Sequence, residues 1–305
     1  MNDKKVMLVA GQSGSKSTFA GGLLQHVQKQ PRLRIVDSVI GDRRDYTKHL
    51  KEFMFSKGLY PDQTRNGYIV DYQISGESFA RPSTNLSILD IPGEKQKIGF
   101  QPKGKTRLML RLQKGQVPDR STIISKYKNN IEDDFEKGNP PSGGSSAQDD
   151  WETAILYHLY TADSVIFLLN VHKVIEQDEN LAYDKDVLEW AQKNFTDVAV
   201  VPTAVDMINY DPESYDPGLL ERILKSFLTP TISDDELFDA LSQHIGMGVS
   251  QEARNVIEYA DATAEVDFFS VSVPDQNRTT GNLTDDGSGG FVVKGFDRVI
   301  KWLER

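Results

Sequence analysis

A chain of 305 residues has room for one large α/β domain with insertions, or for two small domains, and its formal charge of −10 weighs against bulk nucleic-acid binding while leaving a local basic patch compatible. It contains no cysteine, which excludes a disulfide framework and thiolate metal sites and fits a reducing cytosol. No apolar run approaches membrane-spanning length, and the charged stretch Met1 to Lys5 runs straight into a strand, so a cytoplasmic protein without a secretory signal is expected.

Taken in chain order, the first informative stretch is VMLVAGQSGSKSTFAGGLL, Val6 to Leu24. An apolar strand enters a Gly/Ser-rich turn, and Lys-Ser-Thr then opens a helix. That order makes a phosphate-binding loop: backbone N–H groups converge on phosphate oxygens, and the helix N-terminus adds a positive dipole end. Lys16 would reach the outer phosphates and the Ser17 hydroxyl would help hold Mg²⁺. The expected cradle is Gly11, Ser13, Gly14, Ser15, Lys16, Ser17 and Thr18. The usual G-x-x-x-x-G-K-[S/T] pattern wants glycine at Ala10 and Ser15, and Ser15 can take the required backbone conformation only at a cost set by its Cβ. An ordinary strand–turn–helix start with a surface lysine is the plainer alternative.

Thr18 to Gln30 reads as a helix with Phe19, Leu23, Leu24 and Val27 on one side, and Gly21-Gly22 as a site of close packing. Arg32 to Ile40 reads as a strand and Asp45 to Lys57 as a helix. Tyr68 to Ser75 and Ser83 to Asp90 read as a hairpin. The second of these strands ends in DIPGE, Asp90 to Glu94. An acid at a strand end with glycine three positions later has a mechanical meaning: Asp90 would contact Mg²⁺ and the Gly93 N–H a terminal phosphate, and the loop would be released when that phosphate leaves. A strand ending in a Pro-Gly turn is the structural alternative.

Lys95 to Lys128 carries ten Lys/Arg against one acid, Asp119, and Ile131 to Asp150 then turns acidic around GNPPSGGSSA, Gly138 to Ala147. The composition predicts a flexible insertion over 95–150, either a solvated excursion or a surface for a partner or polyanion. With only Phe100 and Tyr127 available for stacking in the basic stretch 95–128, single-stranded nucleic acid fits poorly.

Beyond it, Trp151 to Tyr160 predicts a helix and Ala162 to Val171 a strand buried on both faces. Leu181 to Asn194 reads as a helix and Val198 to Val201 as a strand running into PTAVD, Pro202 to Asp206. Helices are expected near 218–228, 234–244 and 251–260, a last strand over Val266 to Val273, a flexible loop over Gly281 to Gly290, and a closing helix containing Val299 to Arg305. Strands alternating with helices predict an α/β fold with a doubly wound, mostly parallel sheet whose ligand sits at the strands' carboxyl ends. The domain division expected is 1–94 and 151–305 as two halves of one domain, interrupted by 95–150.

In TAVD, the Asp206 carboxylate could accept two N–H bonds from a guanine edge, and the backbone at Phe269-Ser270-Val271-Ser272 could meet the guanine oxygen. Phosphate loop, D-x-x-G, a variant of [N/T]-K-x-D and a serine-bearing loop, each at a strand end and in this order, resemble the G domain of Ras-like (TRAFAC-type) GTPases. The resemblance covers nearly the whole chain outside the insertion. It implies GTP/GDP and Mg²⁺ as cofactors, with Lys16 and Ser17 on phosphate and metal, Asp90 and Gly93 sensing the γ-phosphate, Thr203 and Asp206 reading guanine, and Ser270 and Val271 supporting the base. Thr64, in YPDQT, falls where the first-switch threonine would bind Mg²⁺. Glu94 stands where many such GTPases place a water-orienting glutamine, which implies slow hydrolysis because a carboxylate beside a γ-phosphate is unfavourable. Ala204 replaces the lysine that packs across the base. Pro61 to Thr64, D-x-P-G-E and T-x-x-D together look most like prokaryotic double-GTPase-type proteins of conflict and defence systems, which implies a switch acting on a protein partner. A degenerate G-domain scaffold that no longer cycles nucleotide, and another P-loop enzyme such as an ATPase or small-molecule kinase, are the competing readings. The five histidines show no metal-ligand spacing.

Overall fold

The computed structural model describes residues 4–10, 15–31, 33–40, 50–61, 68–76, 84–90, 115–136, 144–170, 191, 194–195, 197–204, 267–268, 271–274, 276 and 282–304. Seven strands form one sheet: β1 (Lys4–Ala10), β2 (Leu33–Ile40), β3 (Tyr68–Gly76), β4 (Thr84–Asp90), β5 (Ser164–Asn170), β6 (Val198–Thr203) and β7 (Asp267–Phe268), in the spatial order β2-β3-β4-β1-β5-β6-β7. The pairings β1–β4, β1–β5, β5–β6 and β6–β7 are parallel, while β2–β3 and β3–β4 are antiparallel. The sheet is therefore mixed, with a parallel centre and an antiparallel wing built by the expected hairpin.

The apolar runs of the sequence form the centre because they are covered on both sides. Val6, Leu8 and Ala10 of β1, Ile166 and Leu168 of β5, and Ala199 and Val201 of β6 join one core cluster with helix α1 (Lys16–Lys29). The intervening Met7, Val9, Val165, Phe167, Val198 and Val200 are equally buried. Because strand side chains alternate, they face the opposite side, where the helix Gly144–Thr161 meets β1 and β4. Each such buried aliphatic side chain contributes about 1.5–3 kcal/mol relative to exposure.

On the first face α1 lies unusually deep. A Cβ built on Gly21 would fall 2.1 Å from Met54 Sδ, and one on Gly22 would fall 2.5 Å from Phe296 Cζ. The glycine pair lets α1 approach two neighbours closely, as its place in the sequence predicts. Met54 belongs to a π-helical segment, Lys51–Ser56, which falls within the helix expected over 45–57. Phe296 opens the last helix, Phe296–Leu303, which buries Val299, Ile300, Trp302 and Leu303.

Residues 95–150 are expected to be flexible, and helices lie in the part of them that is described. We number the helices after α1 as α2 (Arg120–Asn130), α3 (Glu132–Glu136), α4 (Gly144–Thr161) and α5 (Phe296–Leu303). Two of these replace flexible chain within 95–150, and α4 begins inside the Gly/Ser-rich stretch instead of at Trp151. The cause is apolar spacing beneath a charged surface: Ile123, Tyr127 and Ile131 recur at four-residue intervals and are buried. Tyr127 stacks on Tyr157 of α4 at 4.0 Å between ring centroids and 9° between planes. Asp119 caps α2, accepting from Thr122 N at 3.0 Å. A second correction concerns Gly281 to Gly290. Residues 282–290 are held, not loose: Asp286 accepts from Ser288 N at 2.7 Å and Gly290 N at 3.1 Å, and pairs with Lys29 of α1. The helices expected over 218–260 lie outside the described residues. Of the strand expected over 266–273, only β7 and the bridge of Ser272 to Lys294 are described.

Candidate functional site

The parallel centre brings its carboxyl ends to one edge. Register places Leu8 beside Ile88 and Ala10 beside Leu168, so Asp90, two residues past Ile88, ends β4 level with Ala10. Asn170 at the end of β5 pairs with Thr203 at the end of β6. Val271 N then donates to Pro202 O at 3.0 Å, which seats residue 271 beside β6.

At this edge β1 ends at Ala10, and the next described residue is Ser15, whose φ of 62° and ψ of 22° lie in the left-handed region. A non-glycine residue there costs on the order of 1–2 kcal/mol, because its Cβ crowds the following carbonyl. The pattern asks for glycine at this position, and the backbone takes the glycine conformation although the residue is serine. Asn170 Nδ2 donates to Ser15 Oγ at 3.2 Å, and Phe19 N to Ser15 O at 2.8 Å. The first of these ties the start of α1 to the end of β5.

Lys16 follows at once as the first residue of α1, and it is only 6% exposed. A buried ammonium at the positive end of a helix dipole opposes the usual preference for acids there, and the first turn of α1 contains none. Ser17 and Thr18 are half-buried beside it. An anion bound at this helix start would reverse the electrostatic sign of the arrangement.

The far end of the same edge carries a second backbone outlier. Ala204, just past β6, has φ 58°. Thr203 before it is buried, and its Oγ1 lies 3.5 Å from Leu169 O. The structure thus gathers Ser15, Lys16, Ser17, Thr18, Asp90, Thr203 and Val271 at one edge. Gly11, Ser13, Gly14, Thr64, Gly93, Glu94, Asp206 and Ser270 lie outside the described residues. Asn170 was missed by sequence reasoning; the one signal available was an amide at the end of a fully apolar strand.

No family model and no curated protein matches this chain. Among solved structures, it is similar to the signal recognition particle receptor SRb-GTP/SRX complex from Chaetomium thermophilum, at 13% identity and a TM-score of 0.35 over 100% of this chain and 98% of that one. The reading of the site therefore rests on the chain's own geometry. Among the described residues, no helix is long and apolar enough to cross a membrane, and no group of three or more His, Cys, Asp or Glu could hold a metal ion.

Proposed function

We propose that the protein is a guanine-nucleotide-binding switch of the Ras-like GTPase class, with residues 1–94 and 151–305 as the two halves of its G domain and 95–150 as an insertion. The observation that carries this reading is Lys16, buried at the N-terminus of α1 directly after a serine held in the glycine conformation. Neither feature helps an empty helix start; both serve a phosphate cradle.

In this reading Gly11, Ser13, Gly14 and Ser15 present N–H groups to the phosphates, and Lys16 neutralises charge as it develops on the γ-phosphoryl oxygens. Ser17, Thr64 and Asp90 would hold Mg²⁺, which would supply positive charge to offset that of the phosphates. Asp206 and Thr203 read guanine beside Ser270 and Val271. Gly93 senses the γ-phosphate, and the Glu94 carboxylate is electrostatically unfavourable beside it and stands in place of the glutamine that would orient water, so turnover is slow. The sheet is doubly wound around this edge, and nucleotide state is passed to a protein partner through the switches and the basic insertion. The motif set is nearest to prokaryotic double-GTPase-type proteins of conflict and defence systems.

Binding of GTP and ATP, each with Mg²⁺, to wild type and Lys16→Ala tests the reading. Micromolar or tighter GTP binding, weakened at least about 100-fold by the substitution, is expected, because the variant leaves phosphate charge uncompensated in a buried site. ATP bound as tightly as GTP would instead indicate an ATPase or kinase. Ala204, standing where the lysine that packs across the base is expected, favours a non-cycling scaffold as the second reading, and near-millimolar GTP binding would support it. Asp206→Asn should shift preference from guanine towards xanthine; unchanged guanine preference removes Asp206 from base recognition.

A further inference from the structure

The segment Gly58–Pro61 leaves the π-helical turn and ends three residues before Thr64. It is not held by its own element alone. Leu59 N donates to Phe53 O at 2.8 Å, and Leu59 forms an antiparallel bridge with Asn282 in which Leu283 N donates to Gly58 O at 2.7 Å. Phe55 packs edge-on against Phe291 at 5.1 Å between ring centroids, and Phe291 is buried. Tyr60 Oη donates to Val273 O.

The other side of this junction belongs to the candidate base loop. Val271 is bonded to β6, Ser272 exchanges two backbone bonds with Lys294 at 3.0 and 2.9 Å, and Val273 accepts from Tyr60. The loop 282–291 is itself fastened to the far end of α1. Gln25 Nε2 donates to Phe291 O at 3.2 Å and to Asp286 at 3.1 Å, and Lys29 pairs with Asp286. The Lys29 ammonium holds the Asp286 carboxyl well below the usual carboxylate range, so the tie persists across neutral pH.

We propose that loop 282–291 clasps the chain leading into the first switch to the loop beneath the base, so that base binding and first-switch placement form one coupled equilibrium, with Tyr60 as its positioning residue. The inference rests on the nucleotide reading above. Three extended residues span at most about 10–11 Å, so fixing Pro61 confines where Thr64 can be delivered. A base that orders residues 271–273 strengthens the acceptor that Tyr60 uses. By linkage, holding Tyr60 must then favour the base to the same degree.

Hydrogen exchange of the amides at 58–60, with and without Mg²⁺·GTP, tests this together with GTP affinity in wild type, Tyr60→Phe and Lys29→Gln. Tyr60→Phe keeps the ring and removes one donor. In wild type, GTP is expected to slow exchange at 58–60 by about fivefold or more. In Tyr60→Phe that slowing should be lost while GTP still binds, about fivefold more weakly. Lys29→Gln, acting at the far end of the loop, should reduce the slowing in the same direction. Nucleotide-induced slowing that survives intact in Tyr60→Phe overturns the coupling, as does bound GTP without slowing in wild type. Wild type that binds no GTP overturns the nucleotide reading itself, and the coupling with it.

Discussion

The two faces of the sheet solve the same packing problem differently. Under α1 and α5 the contacts depend on missing side chains: Gly21 and Gly22 bring backbone against Met54 and Phe296, and Phe19 lies 5.5 Å from Phe296 between ring centroids. Under α2 and α4 the contacts are aromatic, and they enclose a polar group. His158 is fully buried, lies 5.7 Å from the Tyr127 ring and 5.2 Å from the Tyr157 ring, and neither of its ring nitrogens meets a hydrogen-bond partner among the described residues. The face whose helix starts the candidate site is thus set by shape, and the face carrying α2 and α4 encloses an uncharged histidine. Substitution should probe the first and pH the second.

The largest effect should come from Gly22→Ala. Its new Cβ would meet the Phe296 ring and Val273 at 2.5–2.9 Å, in a packed core with little freedom to yield. Overpacking of this kind costs about 1–3 kcal/mol, read as a lower denaturation midpoint at unchanged slope. Gly21→Ala sharpens the contrast. Its Cβ meets only the end of the Met54 side chain, which can swing aside, and alanine regains about 1 kcal/mol of helix propensity over glycine. It should be near neutral. Equal losses from the two variants would break the claim that α5, more than the π-helical turn, sets the depth of α1.

On the opposite face, burial pushes the His158 imidazole well below its ordinary 6.5, and the Lys5 ammonium pushes it further. With the folded-state value depressed, the unfolded chain binds the proton first. Stability from this face is therefore full above about pH 6.5 and falls as pH drops below it, by up to about 1.4 kcal/mol per pH unit. His158→Phe should flatten that slope between pH 6.5 and 5, measured by denaturant unfolding, and a slope equal to wild type would remove His158 as its source. Ser15→Gly should have the smallest effect on stability. It relieves the left-handed backbone but loses the bond from Asn170, and since each is worth about 1 kcal/mol the two should nearly cancel.

How much of this was legible in the sequence differs element by element. β1, β5 and β6 were legible because a strand buried on both faces has no polar alternation to confuse with anything else. The β3–β4 hairpin and the Gly21-Gly22 approach were legible for equally local reasons. Helix α2 was hidden because Arg120, Lys126 and Lys128 dominate its composition, while Ile123, Tyr127 and Ile131 carry its packing from positions four apart. The loop at 282–290 reads as flexible from Gly, Ser and Asp, but its order comes from Gln25 and Lys29, more than 250 residues away in sequence. Asn170 carries no motif, and its link to Ser15 exists only once β1 and β5 are side by side. At residue 15 the sequence pattern asks for glycine, and only the backbone angles show that a serine takes the left-handed conformation there.

That serine has a thermodynamic consequence. On the nucleotide reading, if the left-handed state costs a free chain on the order of 1–2 kcal/mol, the binding-competent loop is a minority among the conformations open to Ser15, and the apparent Kd is raised roughly five- to thirtyfold. Asn170 recovers part of that loss by holding the Ser15 hydroxyl. On that reading, the strength of phosphate binding would be governed partly by an amide on a neighbouring strand.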